Sequence, residues 1–384
     1  MQLTRTTRGI AVTLAAGWLL CPAPSIAGVL PEDRADLMYH YYDGGGVQID
    51  GPSVLVRKKF KEKYAVNASY YVDMVSSASI DVVTTASPYK EERTQYGLGF
   101  EYLRGKVTYA ASFSNSKEND YDADTASFSI SQDMFGDLTT VQLVFGRGKD
   151  DVTRRGDDAF SEKVDRHVYG IDVSQIVTKK LILGASWETT AEEGFLNNPY
   201  RRVRYCVTDQ CLNYDYEFER YPHTRTGNAL GLRGRYYLPY RAAVQGDYRW
   251  YNDAWGITAN TFEVSYTQPI GDRLMFDAHY RFYMQNSADF YSDLFPRENF
   301  QNFLARDKEL ATMDSQTLGF GLGYEFKVPR LQFIQKATVN LKYDFMRFNY
   351  DDFRDLRPTG YAPGTEPLYS FDANVIRLFF SGWF

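Results

Sequence analysis

The residue types most often used in catalysis are few and scattered in this chain. The four histidines are His40, His167, His223 and His279, and only His279 lies among charged residues of a strand-like segment. No Ser–His–acid arrangement and no HExxH-type spacing emerges. An isolated histidine in polar surroundings is more often a hydrogen-bonding residue than a base. The sequence therefore predicts no catalytic residue and a protein that is not an enzyme.

Two cysteines and a run of aspartates are the other candidates for special chemistry. Cys206 and Cys211 lie in a polar stretch with four residues between them, so an oxidising compartment favours a disulfide that closes a surface loop. A zinc site would need further Cys or His nearby. Asp120, Asp122 and Asp124 imitate the first half of a calcium loop, but the required glycine and bidentate glutamate are absent. No metal site and no cofactor is predicted.

A third group of residues is charged and alternates with apolar residues, chiefly in the second half of the chain. If the apolar residues face lipid, these residues face the interior of a barrel: Arg233, Arg235, Asp247, Arg249, Glu263, Asp277, His279, Arg281, Glu325, Lys342, Asp344 and Arg377. Such a ladder could select solutes by size and sign. Alternatively, opposed charges in a confined interior pair and brace the wall. We expect Arg233, Arg235, Arg249 and Arg281 to be mostly paired with Asp247, Glu263 and Asp277, so that the protein conducts poorly.

The elements that position these residues alternate with a period of two. In "YAVNASYYVDM", "LMFDAHYRFYM" and "TLGFGLGYEF", one face is apolar and the other is polar or glycine. These segments are longer than usual globular strands and near the length needed to cross a bilayer at a tilt. Aromatic residues make up 16% of the chain. The pattern is typical of a transmembrane β-barrel with an apolar outside and a polar inside.

The connections between these segments alternate between short and long, which is typical of outer-membrane barrels. Short turns are predicted at 61–63, 104–106, 135–137, 178–180, 239–241, 269–273 and 328–335. Long loops are predicted at 76–93, 114–124, 146–166, 190–226, 286–314 and 347–370, with a shorter one at 252–258. The loop at 76–93 either constricts the mouth or simply caps it. Parity of the connections predicts an antiparallel up-and-down barrel of sixteen strands, with fourteen as the alternative.

The two ends of the chain indicate a compartment. Residues 1–27 have the basic start, apolar stretch and small residues of a secretory signal, with cleavage predicted after Ala27 and a barrel over 28–384. The chain closes on "LFFSGWF", in which Phe380, Trp383 and Phe384 resemble the C-terminal signal read by the bacterial barrel assembly machinery. The expected location is the outer membrane, with its lipids and that machinery as partners. A net charge of −6 gives no nucleic-acid footprint.

Three stretches carry a family resemblance: "YYDGGGVQIDGPSVLVRKKF", "YYVDMVSSASIDVVTTASPYKEERTQYGLGFEYLRGK" and residues 124–140. They resemble the bacterial family of domain of unknown function 3570, most strongly over residues 41–145 and across most of the mature chain. The resemblance implies a secreted outer-membrane β protein of unassigned activity. Its members' occurrence beside flavin-attachment and thioredoxin-like proteins implies an extracytoplasmic redox setting.

Two functions are consistent with these observations. The first is a poorly conducting channel or porin-like transporter of unknown solute. The alternative is a structural or docking barrel for a periplasmic or surface partner, linked to redox chemistry as the resemblance implies. An open lumen would favour the channel, and a filled interior would favour docking.

Overall fold

A computed structural model describes residues 29–77, 89–327 and 333–384. Within them, sixteen strands form one closed antiparallel barrel and two further strands form a separate hairpin. The strands are β1 (Arg34–Gly44), β2 (Val47–Phe60), β3 (Tyr64–Ser77), β4 (Tyr89–Arg104), β5 (Val107–Lys117), β6 (Tyr121–Met134), β7 (Thr139–Arg154), β8 (Asp157–Thr178), β9 (Leu181–Gly194), β10 (Arg202–Cys206), β11 (Tyr214–Phe218), β12 (Thr224–Tyr237), β13 (Ala243–Asp253), β14 (Thr258–Ile270), β15 (Leu274–Gln285), β16 (Met313–Phe326), β17 (Lys336–Arg354) and β18 (Leu368–Trp383). The predicted fold and strand number are confirmed. The signal at 1–27 and most of the loop predicted at 76–93 lie outside the described residues.

The barrel is closed by its first and last strands. β1 pairs with β18 in continuous antiparallel register, from Arg34 opposite Trp383 to Gly44 opposite Ala373. Every other barrel strand pairs with its neighbour in the chain, except that β9 pairs with β12 across the inserted hairpin β10–β11. Closure leaves no unpaired sheet edge.

Alternation along each strand separates an apolar outside from a polar inside. On β16, Leu318, Phe320 and Leu322 are 45%, 45% and 51% exposed on the outer surface. The glycines between them, Gly319 and Gly321, are buried on the inner face. Exposed apolar side chains of this kind occur on most barrel strands and suit a lipid environment. Among the described residues, no helix is long and apolar enough to cross a bilayer.

The two ends of the barrel differ, and we call them the turn end and the loop end. The turn end carries both termini of the barrel and short connections such as 61–63, 105–106 and 179–180. At the loop end, three longer connections at 195–223, 286–312 and 355–367 fold together. We call these three segments the loop cap.

Three predicted loops are largely strand. Only 118–120 and 155–156 separate the strands where loops were predicted at 114–124 and 146–166, and β17 runs to Arg354. The prediction was wrong at 114–124 and 146–166 because these hairpins rise beyond the apolar belt, where both faces are polar. Alternation then no longer marks a strand, although the ladder of hydrogen bonds continues. It was wrong on β17 because the apolar residues there, Phe348 and Tyr350, face inward and join a buried core.

The loop cap has its own small cores. Val203, Phe295 and Leu304 form one buried cluster. A second contains Tyr221, Trp255 and five other residues, among them Leu310 of a short 3-10 helix at Lys308–Leu310. Because these cores join segments from different loops, the three loops of the cap pack against one another and form one structure.

Candidate functional site: the barrel lumen and its mouth

The register places all twelve residues predicted to line the lumen on the inner face. Arg233 on β12 lies opposite Asp247, Asp247 lies opposite Glu263, and Glu263 lies opposite Arg281. Further round, Lys342 lies opposite Arg377. Directly opposed residues of neighbouring strands share a face. We call the inner face of β12–β18 the charged wall.

Arg233 finds its ion pair two strands away, not beside it. Its guanidinium contacts Asp172 on β8, with β9 lying between the two strands. The side chain crosses β9 at Gly184, where an added Cβ would lie 2.5 Å from Arg233 Nε. The missing side chain therefore provides the path for the pair. The partners we predicted for Arg233, namely Asp247 and Glu263, are not the ones it contacts.

Asp344 is a buried acid of the charged wall. It contacts the guanidinium of Arg377 on the next strand, and one of its oxygens lies 3.5 Å from Nε2 of His279. His279 and Asp344 stand on opposite sides of Gly319, where an added Cβ would meet both side chains within 2.5 Å. A glycine on the intervening strand again lets charged groups of alternate strands meet.

The other charges are held more loosely. Arg249 lies 3.9 Å from Glu188, and both side chains are 51% exposed. Arg235 donates to Gln245, which in turn donates to Asp247 at 2.9 Å. Asp277 accepts from the Thr267 hydroxyl. Among the described residues, no ion pair forms to Glu263, Arg281, Glu325 or Lys342. The lumen is thus partly braced and partly open to water.

The opposite side of the lumen has a different chemistry. Along the middle of β4–β7, most inward positions hold small uncharged residues: Gly97, Gly99, Ala110, Ser112, Ser114, Thr125, Ser127, Ser129, Val144, Gly146 and Gly148. The charged exception is Glu101, opposite Ala110, which lies 3.2 Å from Arg57 on β2. The order of sixteen strands sets β4–β7 across the barrel from β14–β17. We call this surface the small wall. Space in the lumen therefore lies beside the small wall.

Below the loop cap, a cavity of about 270 Å³ opens at the mouth of the lumen. Three arginines line it, each beside a carboxylate. Arg166 lies 2.8 Å from Glu192, and the Arg225 guanidinium donates to Asp253 at 2.6 Å. Arg201 contacts Asp307 of the loop cap. These ion pairs form a charged constriction that our sequence reasoning missed, because their partners come from separate loops and strands.

A buried ionic network holds the loop cap together. The fully buried Arg204 donates to Glu366 at 2.6 Å and also contacts Asp293, which receives Arg306 at 2.9 Å as well. Burial opposes ionisation, yet the hydrogen bond from Arg204, the backbone hydrogen bonds and the charge of Arg204 together outweigh it, so the pKa of Glu366 is lowered. The same carboxylates raise the pKa of Arg204 against its burial. One guanidinium therefore links all three loops of the cap.

A second buried group lies at the seam of the barrel. His40 Nε2 is 2.8 Å from Asp73, whose other oxygen lies 3.6 Å from Arg93. The three residues stand on β1, β3 and β4, and β2 passes between His40 and Asp73 at Gly51. This group could have been predicted from the sequence. The signal is an inward-facing glycine that has a charged residue opposite it on each of the two neighbouring strands.

The remaining predicted site residues are found as follows. Cys206 and Cys211 form a disulfide at the tip of the hairpin β10–β11. Phe380 is 37% exposed on the outer face, whereas Trp383 turns inward between Arg34 and Lys336 and stacks with both. Phe384 lies under Lys58.

In the described part of the chain, Glu91, Glu118 and Asp120 bring carboxylate oxygens within 4.8 Å of one another, and Asn119 N donates to Glu91.

Comparison with known proteins finds solved barrels at low identity. A bacterial polysaccharide outer membrane secretin has a TM-score of 0.47 and 10% identity, covering 92% of this chain and 100% of its own. A FadL homologue from Pseudomonas aeruginosa has a TM-score of 0.46 and 9% identity, covering 92% and 91%. The toluene transporter TodX from P. putida has a TM-score of 0.42 and 9% identity over the same shares. No curated protein matches the sequence. These similarities carry no information about the solute.

The family resemblance is confirmed, although by a different part of the chain. The model described as protein of unknown function (DUF3570) matches residues 161–351, from β8 to β17, and not the stretch 41–145 that we expected to match best. The matched residues include the charged wall from Arg233 to Asp344, the arginines of the mouth and two of the three loops of the cap. Residues 161–351 of this outer-membrane β-barrel match the model of the DUF3570 family.

Proposed function

We propose that the protein is a weakly conducting outer-membrane channel for small polar solutes and not an enzyme. One observation carries the proposal: the small wall, whose residues are mostly uncharged, faces the charged wall, and Arg249 of the charged wall and its partner Glu188 on β9 are half exposed to water. A lumen whose charges are largely compensated favours neither cations nor anions strongly. Small neutral or zwitterionic solutes are therefore the expected cargo.

The loop cap sets the limit to flow in this proposal. The cap covers the lumen on the side of the charged wall, and the ion pairs of Arg166, Arg201 and Arg225 line the opening. In the outer membrane, after signal cleavage near Ala27, the turn end would face the periplasm and the cap the exterior. Solutes would pass beside the small wall.

Planar-bilayer recordings test the proposal. Purified protein should give small ohmic steps of weak ion selectivity, and liposomes containing it should swell in small neutral solutes. Replacing Arg233 and Arg235 by alanine should lower thermal stability and raise conductance, because Asp172 and Gln245 lose their partners and the lumen widens. Absence of conductance from both the parent and the double variant would reject the channel.

A further inference from the structure

The turn end of the barrel carries a ring of cations without acidic partners. Its members are exposed and, among the described residues, none has a carboxylate oxygen within 4.0 Å: Lys61, Lys63, Arg104, Lys179, Lys180, Arg241 and Arg273. Several other basic residues at this end are paired, as Lys59 is with Glu62 and Lys106 with Asp137, whereas the exposed Lys327 has no such pair among the described residues. The exposed carboxylates of this end that lack such a pair in the described chain are Asp272 and Glu325. The ring therefore leaves a local positive excess on a protein whose net charge is −6.

Exposed apolar side chains accompany these cations from turn to turn. Phe60 precedes Lys61 and is 50% exposed, and Tyr240 precedes Arg241 and is 59% exposed. The same juxtaposition occurs at the turns after β8 and β14, where Val177 and Ile270 are exposed beside Lys179 and Arg273. These apolar residues continue the outer surface of the strands above them, for example through Tyr64 and Val66.

The loop end lacks this excess on its outer surface. Outward basic residues there face acids on the adjoining strands: Lys117 lies 3.3 Å from Asp122, and Lys163 lies 3.6 Å from Asp151. Arg147 lies 3.7 Å from Asp165. Lys149 and Arg155 of the loop end have no carboxylate oxygen within 4.0 Å among the described residues, but exposed acids without an ion pair, such as Asp158 and Glu162, occur at the same end. The positive excess is thus a property of the turn end, where short turns meet the apolar belt.

We propose that the turn end is a binding surface for anionic glycerophospholipid headgroups. A partner that meets both features must present anionic oxygens at the edge of an apolar layer, which phospholipid phosphates do. The long stems of Lys and Arg can lie along the apolar belt while their heads reach the phosphates. An acidic soluble protein would match the charges, but it would not require an apolar surface continuous with the lipid-facing strands.

The test uses the full protein in lipid nanodiscs of two compositions, phosphatidylcholine alone and phosphatidylcholine with phosphatidylglycerol. We expect a higher unfolding midpoint in the anionic discs and retention of phosphatidylglycerol in native mass spectra. The test variant combines Lys61→Gln, Lys63→Gln, Lys179→Gln, Lys180→Gln, Arg241→Gln and Arg273→Gln. It should keep the parent midpoint in phosphatidylcholine and lose the increment in the anionic discs.

A matched control neutralises six cations of the loop end: Lys117→Gln, Lys149→Gln, Lys163→Gln, Arg147→Gln, Arg297→Gln and Arg347→Gln. This variant should keep the increment. Inorganic phosphate added to phosphatidylcholine discs separates headgroup binding from capture of the free anion. The proposal is overturned if the parent shows no increment, if the turn-end variant retains it, if the control loses it equally, or if free phosphate alone reproduces it.

Discussion

The small wall and the charged wall make the lumen polar in different ways. On β4–β7, the inward residues are so small that water can fill the space, and the hairpins β5–β6 and β7–β8 end in connections of three and two residues. On β12–β18, long charged side chains fill part of the space, and the loops above them fold into a cap. The small wall thus leaves open volume in the lumen, and the charged wall provides charge and rigidity. Substitutions in the charged wall can therefore be made without closing the passage.

Filling the small wall should have the largest effect. Ser112 and Ser127 face each other across β5 and β6, with their hydroxyl oxygens 2.6 Å apart. The double variant Ser112→Trp and Ser127→Trp should reduce single-channel conductance severalfold, because the indoles would occupy the open side of the lumen. The matched control places tryptophan at Ala111 and Ala126, which face outward on the same strands. Equal conductance in the lumen variant and its control would show that the passage does not follow the small wall.

The loop cap can be loosened without touching the wall below it. Arg204→Met leaves Asp293 and Glu366 buried without their guanidinium, which costs about 3 kcal/mol of local stability. We expect rapid proteolysis between β10 and β11, while the barrel keeps its heat-modifiable gel mobility. Arg297→Met, at an exposed position of the same cap, is the control and should be protected like the parent. A barrel that unfolds with the cap would mean that the two are one cooperative unit.

The charged wall predicts a graded response to the loss of single acids. The side chain of Asp344 is 8% exposed and holds both Arg377 and His279, so Asp344→Asn should cost about 2 kcal/mol and increase anion preference. Asp172 is 25% exposed and holds Arg233 alone, so Asp172→Asn should cost less than about 1 kcal/mol. Denaturation midpoints in detergent and reversal potentials measure both. Equal losses would remove burial as the explanation.

Acid should open the cap before it affects the small wall. Because the pKa of Glu366 is lowered in the folded protein, its stabilisation is present above the unfolded value of about 4.3 and is lost as pH falls through the folded value. Amide exchange in β10, corrected for intrinsic rates, should therefore rise only below about pH 4, with β5–β7 unaffected. Glu366→Gln should shrink this pH step; an undiminished step would assign it to other carboxylates.

The disulfide should have the smallest effect. Cys206 and Cys211 are five residues apart, so the bridge closes a short loop at the tip of the cap, remote from the barrel wall. Replacing both by serine should leave the barrel midpoint unchanged and increase proteolysis only within 207–210. In untreated cells, both thiols should resist labelling until they are reduced. A large fall in the barrel midpoint would contradict the separation of cap and wall.

Much of the fold follows from residue alternation alone. A period of two defines the face of the sheet on which each side chain lies. It therefore predicts that Arg233, His279 and Arg377 lie on the inner face, without information about their ion-pair partners. It failed at 146–166, because strands that rise past the apolar belt are polar on both faces. The connection at 347–370 was overestimated because the apolar residues at its start, Phe348 and Tyr350, face inward and join a buried core.

The pairing of charges could not be read in the same way. Arg233 reaches Asp172 across Gly184, a contact that depends on the register of three strands. Arg204 joins Asp293 and Glu366 from three loops whose approach is set by packing. Single-sequence reasoning therefore identifies what lines the lumen, whereas which groups are neutralised depends on three-dimensional neighbours.

The pairing of β1 with β18 also governs how the barrel can form. These strands come from opposite ends of the barrel sequence, so their contacts have the greatest separation along the chain and form slowly. Until β18 arrives, β1 exposes a row of unpaired backbone groups and invites association with other chains. We therefore expect assembly to be faster when this edge is shielded until the last strand reaches the first.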